Sequence, residues 1–160
     1  MHSPERVKVL LADYPESGPE SYLQMIHEQS RLNEVNVLVS EGNWAWPEAL
    51  RMIFAPRGVN LLTARRPQEF VNVLEQKRIH TMIIDMDSAV SKGLATIRLI
   101  HVEYPLLPCI LLTSTVSSSL LSKALQLEVF SVVGKPVNME VLRELLNRLF
   151  LKKYGSDIFG

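Results

Sequence analysis

TMIIDMDSAVSKGL, Thr81 to Leu94, runs through consecutive apolar residues to an aspartate, breaks into a short polar turn, and then becomes helical. Met82, Ile83 and Ile84 leave no polar position between them, so a strand here has no face reserved for water. Such a run fits a strand covered on both faces, as in a parallel sheet with crossover helices above and below it. Beyond Gly93, Leu94, Ile97 and His101 recur at helical spacing. Four more runs share this grammar: VNVLVS (35–40), VNLLTA (59–64), CILLTS (109–114) and FSVVG (130–134).

Helical patterns fill the intervals. Pro47 suits a first helical turn, Leu50, Ile53 and Phe54 share one side, and Pro56 and Gly58 end the pattern. Phe70, Val73 and Leu74 face inward on the next helix, and Leu120, Leu121, Ala124 and Leu125 on the one after CILLTS. Asn138 caps a last helix that stacks Leu142, Leu145, Leu146 and Leu149. Strands alternating with helices predict a doubly wound α/β fold over residues 35–154, with 155–160 as a tail. Residues 1–34 hold a strand-like stretch, VKVLLADYP (7–15), and an amphipathic one, SYLQMIHEQ (21–29). They read either as an extra βα segment adding an edge strand or as an arm that docks on a partner.

Bulk properties narrow the function classes. Lys plus Arg number 17 and Asp plus Glu 17, so nothing argues for a nucleic-acid-binding face. No apolar stretch reaches the roughly 18 residues that span a bilayer, and MHSPERVKV lacks a signal peptide's apolar region, which points to the cytoplasm. Cys109, the single cysteine, reads as a small buried hydrophobe. His2, His27, His80 and His101 lack ligand spacing and read as surface or core-edge side chains. Ser117, Ser118 and Ser119 have no partnering base and read as a loop and helix cap.

In an open parallel sheet, ligands bind where the carboxyl ends of the strands meet. Those ends carry Ser40-Glu41-Gly42, Asp85-Met86-Asp87, Thr113-Ser114 and Lys135-Pro136. Carboxylates, a hydroxyl and an ammonium thus converge on one crevice. Crowded carboxylates repel, so the group must hold a hard cation or use Lys135 as counter-charge.

VLVSEG, TMIIDMDSAVSKGL, PCILLTS and VVGKP, in this order, resemble the receiver domain of two-component response regulators over about Val35 to Lys153, three-quarters of the chain. The resemblance implies a five-stranded parallel sheet of order 2-1-3-4-5. It makes Asp85 the acceptor of a phosphoryl group from a histidine kinase or phosphotransfer protein. Thr113 becomes the switch hydroxyl, and Lys135, before a cis proline bond, the partner of Asp85 and of the phosphoryl oxygens. Mg²⁺ would bridge the acids, with Glu41, Asp85 and Asp87 as ligand candidates. The output would be contact with a downstream protein, an effector domain or a second copy of the chain, with no membrane and no direct nucleic acid. With no room for an effector after Gly160, the chain would be a stand-alone regulator or one domain of a longer protein.

Two positions depart from the pattern. The acidic pair after the first strand is Glu41-Gly42, so a metal carboxylate is missing and Mg²⁺ should bind weakly or not at all. Asp87 reads either as its replacement or as a solvated loop acid. The aromatic often found three residues before the lysine is Val132, with Phe130 expected on the same face by alternation. These departures give weight to a phosphorylation-independent pseudo-receiver that binds or dimerises. An Asp-nucleophile phosphatase on a similar scaffold is the enzyme alternative. Its nucleophile ends the first strand, whereas Asp85 ends the third run of the five.

Overall fold

β1, Val35–Ser40, is buried at every residue, as are β3, Thr81–Asp85, and β4, Cys109–Thr113. Among the described residues these are the three inner strands of the sheet, and their mostly apolar runs follow from having protein on both sides. β2, Val59–Ala64, and β5, Ser131–Gly134, lie at the edges and are only partly covered. The computed structural model describes residues 34–90 and 92–160. The strand expected at 7–15 and the helix at 21–29, with His2 and His27, lie outside them.

The sheet is parallel throughout, in the order β2-β1-β3-β4-β5. Chain direction across the sheet reverses between β1 and β3, which places a crevice at their carboxyl ends. Alternation divides the core. Val35, Val37 and Val39 of β1 point to one side with Ile83, Ile110 and Leu112. That side is covered by α1, Pro47–Phe54, and α5, Met139–Tyr154. Leu38, Met82, Ile84 and Leu111 point to the other, under α2, Pro67–Gln76, and α3, Gly93–Glu103, with Ala124 of α4, Ser118–Gln126.

The helices begin where their caps place them. Ser117 Oγ accepts from Leu120 N, and Asn138 Oδ1 accepts from Glu140 N and Val141 N, so each satisfies orphan amides of a first turn. Gly93 opens α3 against the end of β3. A Cβ there would lie 2.7 Å from Met86 Sδ and 3.3 Å from Met86 Cα, so any larger residue would have to shift the Met86 side chain and crowd its backbone. On α3, Ile97 and Ile100 are buried, while Leu94 and His101 are half-buried.

Two expectations need correction. On α4, Leu121 and Leu125 are 46% and 79% exposed, and only Ala124 is buried. Leu120 and Ala124 form one stripe, Leu121 and Leu125 another turned about 100° from it, and this short helix reaches the sheet with the first alone. Phe130 and Val132 do not share a face. Phe130 packs toward α1 and α5 and Val132 toward the opposite side, because Phe130 precedes β5 and strand alternation does not yet apply to it. His80, expected at the surface or the core edge, lies at the core edge: it is buried, with Nδ1 accepting from Asn36 N at 3.1 Å.

The last residues, expected only as a tail, turn back after Gly155, which caps α5 in the left-handed region at φ 61°. Phe159 is fully buried, with its ring centroid 5.0 Å from Phe150 and 5.7 Å from Phe54. Arg143 Nη1 donates to the Phe159 carbonyl at 2.6 Å.

Candidate functional site

Asp85 is the last residue of β3, and two bonds fix its backbone and carboxylate. Its N–H donates to Ser40 Oγ at 3.0 Å, tying the end of β3 to the end of β1. Its Oδ1 accepts from Asp87 N at 2.9 Å, which turns the loop tightly around the carboxylate. The side chain is mostly buried, so a charge there needs a partner.

Lys135 supplies it. Its Nζ lies 2.5 Å from Asp85 Oδ1 and 3.0 Å from Asp87 Oδ2, so one ammonium serves two carboxylates. β5 delivers the lysine: Lys135 N donates to Thr113 O at 2.8 Å, and the Lys135–Pro136 bond is cis. Burial works to lower the Lys135 pKa, but the bonds and charges of Asp85 and Asp87 outweigh it and hold the pKa above its ordinary value. For Asp87, desolvation pulls the pKa up. The bond from Lys135, those from Ser114 and the lysine charge together bring it below the ordinary value.

Asp87 also reaches across the crevice. Its Oδ2 accepts from Ser114 N at 2.8 Å, the first amide after β4. Thr113, buried at the end of β4, turns its hydroxyl to its own loop, donating to Thr115 O at 3.1 Å and accepting from Thr115 N at 3.2 Å.

Of the residues expected here, Asp85, Asp87 and Lys135 meet directly, and Thr113 and Ser114 stand at their rim. Glu41 lies beyond the end of β1 with an exposed side chain, its N–H donating to Ala64 O at 2.9 Å. Beside it, a Cβ at Gly42 would be 3.8 Å from Asp85 Oδ2. Gly42 therefore borders Asp85, and a carboxylate at this position would stand beside the Asp85 side chain. Among the described residues, no group of three His, Cys, Asp or Glu side chains is placed to hold a metal ion. Oδ1 of Asp85 and Oδ2 of Asp87 are already engaged, so the donors present fit a divalent cation only weakly.

Two further side chains support the crevice. Ser40 acts through its hydroxyl on the Asp85 backbone, and its only signal is being polar at a strand end. Trp44 is buried under the crevice, with Nε1 donating to Ser40 O at 2.8 Å, whereas Trp46 is 82% exposed. The two tryptophans, Pro136, Val137 and Met139 line a cavity of about 540 Å³ beside the site.

A family model described as the response regulator receiver domain matches residues 37–147. The chain belongs to this family. The receiver is also similar to solved structures. One is a response regulator receiver protein from Pseudomonas putida, 30% identical, covering 74% of this chain and 99% of that one with a TM-score of 0.64. Another is the signal receiver domain of an HD domain-containing protein from Pseudomonas fluorescens, 20% identical, covering 78% and 100% with a TM-score of 0.67. A third, a response regulator from Thermotoga maritima, is 20% identical, covering 72% and 97% with a TM-score of 0.61, and like the second supports the fold alone. None of the curated proteins compared matches the chain. No helix among the described residues is long and apolar enough to cross a membrane.

Proposed function

We propose that this receiver accepts a phosphoryl group on Asp85 from a histidine kinase or phosphotransfer protein and signals through protein–protein contacts with a downstream protein or effector domain. The observation that carries the reading is the Asp85–Lys135 pair, 2.5 Å apart at the switch point of a parallel sheet. A buried carboxylate oxygen attacks phosphorus in line, the donor's bond to phosphorus breaks, and the leaving group departs with its electron pair. Lys135 stabilises negative charge on the transferring group, and Ser40 and the Asp87 amide hold Asp85 in place. Mg²⁺ would be held by Asp85 and Glu41 and would neutralise charge at the transfer; the missing carboxylate at Gly42 supports weak affinity. The chemistry is a stoichiometric self-modification and its hydrolysis, with no turnover of a separate substrate.

Incubation with acetyl phosphate and Mg²⁺, followed by intact-mass measurement, tests this. A single acid-stable, base-labile adduct is expected in wild type and none in Asp85→Asn, whose amide keeps the shape but is a poor nucleophile. An adduct that persists in Asp85→Asn overturns the assignment.

A second reading, a phosphorylation-independent module that binds a partner or a second copy, is favoured by Gly42 and by the engagement of Lys135 with Asp87. No adduct in wild type, together with no response to millimolar Mg²⁺, would establish that reading instead.

A further inference from the structure

Every strong hydrogen-bonding interaction that Asp87 makes across the crevice is with a group suited to an anion. Its Oδ2 is shared between the Lys135 ammonium at 3.0 Å and the Ser114 amide at 2.8 Å. A phosphoryl group on Asp85 would carry close to two negative charges and three acceptor oxygens, and would seek cationic and N–H donors in this same space. Lys135 already touches Asp85, and the loop from Ser114 to Ser117 continues over β5, where Val116 Cγ2 would be 3.8 Å from a Cβ on Gly134. Asp87 thus joins three pieces of the fold: the loop after β3, the end of β5, and the β4–α4 connection.

We infer that Asp87 is an internal anionic latch: its carboxylate holds the β4–α4 connection through Ser114 and Lys135, and a phosphoryl group arriving on Asp85 must displace it. The displacement half of this inference rests on the phospho-acceptor reading; the latch itself does not. Asp85 and Asp87 already share the one ammonium, and a phosphoryl group on Asp85 adds close to two further negative charges beside them, so Asp87 must yield its place. When Asp87 yields, the Ser114 amide is released and the connection that carries Thr115, just past Thr113 at the end of β4, loses its tie to the loop after β3. Phosphorylation would then be an exchange of one anion for another, with the β4–α4 connection as the moving part. Asp87 is a positioning residue in this scheme, acting through Lys135 and Ser114.

The test uses the full chain and two substitutions. Asp87→Ala removes both charge and acceptor; Asp87→Asn keeps an acceptor for Ser114 but removes the charge from Lys135. In unphosphorylated protein, amide hydrogen exchange by NMR should be at least tenfold faster at Ser114 in Asp87→Ala than in wild type, with Asp87→Asn in between. With acetyl phosphate and Mg²⁺, both variants should form the adduct several-fold faster than wild type, because the competing anion is gone. Unchanged Ser114 exchange in Asp87→Ala overturns the latch. Slower adduct formation in both variants overturns the displacement and makes Asp87 a helper of the transfer instead. Should no protein form an adduct, the acceptor reading fails, and the Ser114 exchange alone decides whether the latch stands.

Discussion

Gly42 is where one missing side chain changes the chemistry of the crevice most directly. Its backbone is in an ordinary conformation, and a Cβ there would meet Asp85 Oδ2 and Trp44 Cδ1 at 3.8 Å each, an unstrained contact. Gly42→Asp should therefore fold normally and set a second carboxylate beside Asp85. One added charge-assisted ligand is worth on the order of 1.5–3 kcal/mol, roughly tenfold to a hundredfold in affinity. Titration with Mg²⁺, followed through the fluorescence of Trp44 under the crevice, should show this tightening against a weak wild-type response. Equal Mg²⁺ response in the two proteins would remove Gly42 from the metal site. At this scale the meeting of Asp85 and Lys135, with Thr113 at the rim, is legible from the chain, because each closes or follows a strand and strand ends converge. The partners of Asp87 are not, since the Ser114 amide belongs to the backbone and carries no residue-type signal.

At the scale of elements, mostly apolar runs locate the strands to within a residue, because an inner parallel strand is covered on both faces and takes a polar residue such as Asn36 only where its bonds are met. Helix faces are less legible. LLSKAL in α4 offers two adjacent apolar stripes, and which one meets the sheet depends on the length and tilt of the helix, which periodicity does not encode. The segment after α5 is least legible, since a lone phenylalanine in SDIFG has no period at all. Yet Phe159 fills the space between α1 and α5, against Phe54, Phe150 and the Arg57 guanidinium 5.9 Å from its ring centroid. Phe159→Ala should cost about 3–5 kcal/mol through lost burial and the cavity left behind. Urea unfolding checks this; a loss under about 1 kcal/mol would show that α1 and α5 close on each other without the aromatic plug.

Across the whole molecule, the two ends of the sheet do different work. The carboxyl end gathers charge that is paired but accessible, with Lys135, Asp87 and the β4–α4 connection open to exchange partners. The amino end is joined by bonds between side chains and backbone. His80 Nδ1 accepts from Asn36 N, Asn36 Nδ2 donates to Arg78 O at 2.8 Å, Asn60 Nδ2 donates to Asn36 Oδ1 at 3.0 Å, and the Tyr154 hydroxyl donates to His80 O. The His80 ring also packs against Phe150 and Tyr154. From His80 to Asp85 the strand rises about 16 Å at roughly 3.3 Å per residue, so the two ends do not touch. His80→Ala should leave the Asn36 amide buried without its acceptor and open a ring-sized gap, costing about 2–3 kcal/mol. For a chain of this size that lowers Tm by roughly 4–12 °C. Adduct formation with acetyl phosphate, measured well below Tm, should proceed at the wild-type rate, because no group at the crevice has moved. A variant with unchanged Tm and a slowed adduct would show the reverse, that the amino end of the sheet communicates with Asp85 while adding nothing to stability.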